Sequence, residues 1–145
     1  GELTFLLPLQ MEKLDPSLMQ ETTLSAIGLI TKVNEILASL DLKDGLLAFK
    51  AINAKKEAVY PIFETYCRNL AITILNLQTI FDMETFVLGG GISAQSILIE
   101  EVNRQFDKVH HEIDFIGKII KRPKIVACHH NGTNLIGAAY FLKQG

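Results

Sequence analysis

Cysteine is scarce: Cys67 and Cys128 are the only two, and they stand far apart in the chain. That excludes a disulfide framework and a paired-cysteine zinc motif. Basic clusters are lacking as well. Lys and Arg total 14 against 16 Asp and Glu, a net charge of −2. No basic block is long enough to follow a phosphate backbone, so nucleic acid is excluded as a partner of this piece. Every apolar run breaks before the roughly 18 to 20 residues of a membrane span, and nothing at the start looks like a signal peptide. A cytoplasmic protein without a membrane partner is expected. Internal repeats and low-complexity linkers are also missing. What is present, 145 residues at 48% hydrophobic content, suits a single domain over residues 1–145 with a real core. The chain starts on Gly1 and runs at once into ELTFLL, as a fragment of a larger protein does.

ELTFLLPLQ has the composition of a strand halted by Pro8, followed by a polar connection that carries Pro16. From Glu21 the period changes. Leu24, Ile27, Ile30, Leu37 and Leu40 recur at helical spacing behind Thr22, Thr23 and Ser25, which predicts a helix to about Ser39. A short helix from Asp44 to Ile52 follows. In EAVYPIFETYCRNLAITILNLQTIF the positions Val59, Ile62, Phe63, Tyr66, Cys67, Leu70, Ile74, Leu75 and Gln78 fall at i, i+3, i+4 steps. Pro61 is tolerable there only in the first turn. Ile72 and Leu77 spoil the polar face, so this helix should be central and buried. TFVLGGG and PKIVACHH read as short strands buried on both sides. SAQSILIEEVNRQFDKV is a helix with Leu98, Val102, Phe106 and Val109 on one stripe, and NGTNLIGAAYFLKQ closes the chain as a helix. The alternation is that of an α/β domain with parallel pairing.

The chemistry concentrates at Gly89, Gly90 and Gly91, between a strand and a helix whose N-cap would be Ser93. Successive backbone N–H groups and a helix N-terminus can face an anion, and glycine lets a ligand approach the main chain. A tight turn needing positive φ is the plain alternative. Gly89-x-Gly91-x-x-Ala94 also satisfies the relaxed dinucleotide fingerprint, but that fold needs a second strand ending in an acidic residue, and Asp114 closes no convincing strand. No Lys-Ser or Lys-Thr completes a Walker A loop. His110 with His111, and Cys128 with His129 and His130, are adjacent pairs whose side chains diverge, a poor start for chelation. Ser93 has no orienting carboxylate and histidine with which to form a triad. Glu2 and Glu21 are the carboxylates to watch, at the first strand and at a helix start; by composition alone each is a solvated charge.

The order NLAITILNLQTIFDMETFVLGGGIS, helix, RPKIVACHHNGTNLIGAAYFL resembles the C-terminal half of the ROK family of repressors, open reading frames and sugar kinases. The resemblance rests on the long apolar helix, the Asp82-x-Glu84 corner, the strand into Gly-Gly-Gly-Ile-Ser, and an Asn-Leu-Ile-Gly-Ala-Ala helix from Asn134 to Ala139. It runs from about Glu21 onward. It implies the C-terminal lobe of a ribonuclease-H-like, actin-like ATPase fold, with short parallel strands packed on long helices.

Family members carry Gly-Glu-x-Gly-His and Gly-Cys-x-Glu motifs, which match Gly1-Glu2-Leu3-Thr4-Phe5 and Leu18-Met19-Gln20-Glu21. The resemblance therefore implies Glu2 and Glu21 as acceptors for sugar hydroxyls. Phe5 replaces the family's histidine, Met19 replaces a cysteine, and the intervening loop has no cysteine, so no zinc is expected. The family's aspartate base, Asp-x-Gly-Gly-Thr phosphate loop and Asn-Asp sugar pair would lie before Gly1. No catalytic residue is thus expected in this chain, which should not turn over by itself. The implied parent is a hexose or amino-sugar kinase using ATP and Mg2+, with Gly89, Gly90 and Gly91 on the nucleotide, an N-terminal lobe as partner, and a homodimer among its possible assemblies. The alternative parent is a ROK repressor whose lobe senses sugar without kinase activity.

Overall fold

The computed structural model describes residues 3–8, 26–89, 91–112, 119–128 and 138–143, the first and last of these as backbone strands. In chain order they form strand β1 (Leu3–Pro8), helices α1 (Ala26–Ile36), α2 (Gly45–Asn53) and α3 (Tyr60–Phe81), and strand β2 (Thr85–Leu88). A 3-10 turn (Gly91–Ala94), helix α4 (Ser96–Glu112) and strands β3 (Lys124–Ala127) and β4 (Ala138–Lys143) follow.

Helix α3 forms where the apolar stripe places it. Pro61 sits in its first turn, where a missing N–H leaves no helical bond unmade. Phe63, Tyr66, Cys67, Leu70, Ala71, Ile74, Leu75 and Gln78 are buried. The helix stops at Asp82, whose φ of 48° is left-handed, a conformation that aspartate tolerates better than most residues. The turn is clamped by Gln78. Its side-chain amide donates to the Met83 and Lys121 carbonyls at 2.8 and 3.0 Å, and its oxygen accepts from the Met83 N–H at 2.8 Å.

The row Tyr60, Glu64, Arg68 rises along α3 at i+4 steps and meets Glu101, Arg104 and Glu112 of α4 in the same order. The two helices therefore run in the same direction. Phe63, Phe86 and Phe106, all fully buried, anchor the core between them and the sheet. Buried Asn34 of α1 donates to the carbonyls of Leu42 and Asp44 at 3.1 and 3.0 Å, while Asp44 accepts from the Leu47 N–H and caps α2. Such a cap contributes about 1 kcal/mol.

The sheet order is β1-β4-β2-β3. β2 and β3 pair in parallel, Thr85 opposite Lys124 through Leu88 opposite Ala127, with α4 as the crossover. This is the expected strand-helix-strand unit. The rest of the sheet departs from the expectation. Ala138–Lys143 is a strand rather than part of a closing helix, antiparallel to β2 through Val87 and Tyr140 and antiparallel to β1 from Leu3/Lys143 to Pro8/Ala138. The sheet is therefore mixed. β4 pairs along its whole length with β1 and at Val87/Tyr140 with β2, and this inter-strand pairing overrides the helix propensity of its alanines and leucine. Asn134 to Gly137 lie outside the described residues. β3 departs as well: only Ile125 is buried and Val126 is 38% exposed, because β3 is the edge strand and not a doubly covered one.

Candidate functional site

β2 and β3 end side by side at Leu88 and Ala127, and the Cys128 N–H still donates to the Leu88 carbonyl at 2.9 Å. At this carboxyl edge the chain leaves β2 through buried Gly89. Gly91 then opens the 3-10 turn. Ile92 is buried and fixes the turn from below, its carbonyl accepting from the Gln95 N–H at 3.0 Å. Ser93 was expected as the α4 N-cap. It lies instead inside the 3-10 turn, buried, and α4 starts at Ser96, because Ile92 pulls the chain into the core and tightens it before the helix can begin.

The turn opens on a cavity of about 700 Å³, lined among others by Ser93, Ser96, Ile99, Glu100, Val126 and Cys128. That volume falls within the range of about 300 to 1,000 Å³ usual for small-molecule sites. Its position, outside the carboxyl ends of parallel strands, is where open α/β sheets place ligands. Its far wall is held rigid by α4. Asn103 donates to the Ile125 carbonyl at 3.1 Å and accepts from Arg122 at 3.0 Å, and the Arg122 guanidinium lies 4.7 Å above the Phe106 ring.

Of the residues singled out in the sequence, Gly89 and Gly91 are at this corner, while Gly90, Glu2 and Glu21 lie outside the described residues, as do Asp114, His129 and His130. His110 is engaged elsewhere, its Nε2 2.8 Å from the Ile120 carbonyl and its ring stacked on Phe106. Among the described residues no three His, Cys, Asp or Glu side chains gather for a metal ion. Sequence reasoning missed Glu100, which a count of one helical turn beyond Ser96 would have placed beside the corner.

It also missed a polar network on the seam between α3 and α4. Glu101 is 3% exposed. It accepts from Tyr60 at 2.7 Å, from Arg104 at 2.7 and 3.0 Å, and from Gln105 at 3.0 Å. Burial by itself would raise the Glu101 carboxyl, but the hydrogen bonds from Arg104, Tyr60 and Gln105 prevail and hold it below the usual carboxylate range. Burial, reinforced by the Glu101 charge, pushes the nearby Cys67 thiol far up, so Cys67 is a protonated packing residue and not a nucleophile.

A glycine corner at the carboxyl edge of the parallel pair β2 and β3, beside a cavity of mixed polar and apolar lining, belongs to an α/β fold of helices packed on short strands. The ROK family model matches residues 20–145, and the chain belongs to the ROK family. Among solved structures, a ROK family protein from Streptococcus pneumoniae TIGR4, crystallised in complex with sucrose, is similar in fold. The TM-score is 0.64 at 24% identity, over 78% of this chain and 38% of that one. This chain thus spans well under half of that protein's length. No curated protein matches it. Among the described residues no helix is long and apolar enough to cross a membrane.

Proposed function

We propose that the chain is the C-terminal, nucleotide-facing and sugar-facing part of an ATP-dependent hexose or amino-sugar kinase, which transfers the γ-phosphoryl of Mg-ATP to a sugar hydroxyl. The observation that carries this reading is the glycine corner at Gly89 and Gly91, set at the carboxyl edge of β2 beside a cavity of nucleoside-compatible size. Backbone N–H groups of Gly89, Gly90 and Gly91 would hold phosphate oxygens, and Glu2 and Glu21 would accept hydrogen bonds from the sugar. Phosphoryl transfer rests on positioning and charge neutralisation, so these contacts are the contribution expected of this lobe. Magnesium in such sites is held mainly by substrate phosphates and water with one or two carboxylates, and the described cavity lining offers a single carboxylate, Glu100. No catalytic base is assigned within these 145 residues. The sucrose bound by the pneumococcal protein supports a sugar as the second ligand.

In the intact protein, Gly90→Val is expected to raise the KM for ATP about tenfold or more, since a branched side chain would stand between main chain and phosphate, and tenfold corresponds to about 1.4 kcal/mol. Steady-state kinetics against ATP decides this, and an unchanged KM would remove the nucleotide from the corner. Glu21→Gln should weaken hexose binding about fivefold to tenfold by calorimetry, because a hydrogen bond to a charged acceptor becomes a neutral one. Unaffected sugar affinity would take Glu21 out of the site. A protein that binds sugar but consumes no ATP would belong to the sugar-sensing, repressor side of the family.

A further inference from the structure

We propose that Glu100 reads a vicinal diol, the ribose of the nucleotide, so that the nucleoside fills the cavity and the phosphates leave it toward the glycine corner. This rests on the nucleotide reading above. It goes further by giving the ligand an orientation and a selectivity residue.

The lining carries the inference. Among its described residues there is one charged side chain, Glu100, and no lysine or arginine. A carboxylate repels phosphate and, being acceptor-only, seeks O–H or N–H donors. Two adjacent hydroxyls match its two oxygens in a bidentate contact. Glu100 is exposed, and among the described residues it makes no ion pair, so its oxygens are available to a ligand.

The apolar part of the lining is equally informative. Val126 is 38% exposed on an edge strand, and Ile99 is only half-buried although it neighbours the core. Both border the same cavity. Such a wall suits the face of a base, which a sugar alone would not provide. Ser93 and Ser96 lie between Glu100 and the glycines along the chain, and Glu100 stands four positions beyond Ser96 in α4, about 6 Å of rise. A nucleoside laid along that line presents its ribose hydroxyls to Glu100 and directs its 5′ end toward Gly89 and Gly91, where backbone N–H groups replace the basic side chains that the lining lacks.

A hexose also offers a vicinal diol, so the test separates the two sources. In the intact protein, titration calorimetry is run with ATP, with 2′-deoxy-ATP, and with glucose, mannose, fructose and sucrose, on the native protein and on Glu100→Ala. Native protein should prefer ATP over 2′-deoxy-ATP about tenfold, the scale of a hydrogen bond to a charged acceptor. Glu100→Ala should weaken ATP about tenfold or more, weaken 2′-deoxy-ATP by less because only its 3′-hydroxyl contact is lost, and leave every sugar unchanged. Unfolding curves that superimpose will show that the exposed substitution has not disturbed the fold. ATP bound without preference for the 2′-hydroxyl, and unaffected by Glu100→Ala, overturns the Glu100 assignment and leaves the nucleotide reading standing. Native protein that binds no ATP overturns both. A loss confined to the sugars places the hexose in the cavity and overturns the orientation.

Discussion

Gln78→Leu is expected to destabilise the protein by about 3 to 5 kcal/mol. Leucine is close to glutamine in size and equally at home on the buried face of α3, so packing is nearly preserved. What goes is polar. The N–H and carbonyl of Met83, fully buried, lose the partners that stood at 2.8 Å, and the Lys121 carbonyl loses its donor at 3.0 Å. Each buried group left without a hydrogen bond costs about 1 to 3 kcal/mol, and Met83 is fully buried. The left-handed turn at Asp82 is held by the same clamp, so the start of β2 and the glycine corner beyond it should loosen together. Urea unfolding monitored by circular dichroism measures the effect. A loss below about 1 kcal/mol would mean that solvent or a neighbouring group replaces the clamp, and that Gln78 does not set the corner.

Gln78 also shows how far a sequence can be read. Its place on the apolar stripe follows from helical spacing, and so does its burial. Its partners do not, because Lys121 stands forty-three residues away and is brought back only by the parallel pairing of β3. The same division holds for Tyr60 and Glu101. Tyr60 precedes Pro61 at a helix start that composition makes legible, whereas Glu101, in the pair Glu100–Glu101, looks like a solvated charge until α4 is laid alongside α3. Local patterns therefore located the helices, β1 with its stop at Pro8, and the β2-α4-β3 unit.

They failed where long-range pairing decides. Ala138–Lys143 is rich in residues that favour a helix, and only the unpaired ladders of β1 and β2 make it a strand. Ser93 failed for a related reason: its residue type suits an N-cap, but the core contact of Ile92 takes the chain into a 3-10 turn first. At the candidate site the glycines were visible as a motif, because their lack of a side chain is itself the signal. Glu100 and Val126 were not, since their importance comes from sharing a cavity, which no linear spacing encodes.

Glu101→Gln should cost about 2 to 3 kcal/mol at neutral pH, and the loss should vanish in acid. Breaking a buried ion pair costs about 3 to 5 kcal/mol in general. The lower figure applies here because Arg104 is about half exposed and keeps a second partner, Glu64, at 2.9 Å. The amide that replaces Glu101 can accept on one atom only, which leaves the buried Gln105 or the Tyr60 hydroxyl poorly paired. The sign of the pH dependence follows from the lowered carboxyl. Its folded pKa lies below the unfolded value of about 4.3, so its contribution is fully present above that value and is lost as pH falls through the folded pKa. Glu112, held low by the hydrogen bond from Arg68, titrates in the same direction but is common to both proteins and cancels in the comparison. Urea unfolding of native protein and Glu101→Gln from pH 7 to pH 2 should give a constant gap down to about pH 5 that closes below about pH 4. A gap that persists to pH 2 would assign the loss to shape rather than charge. No gap at pH 7 would mean that the α3/α4 seam is held by its apolar contacts alone, with the carboxylate repaying only the desolvation that its own burial imposes.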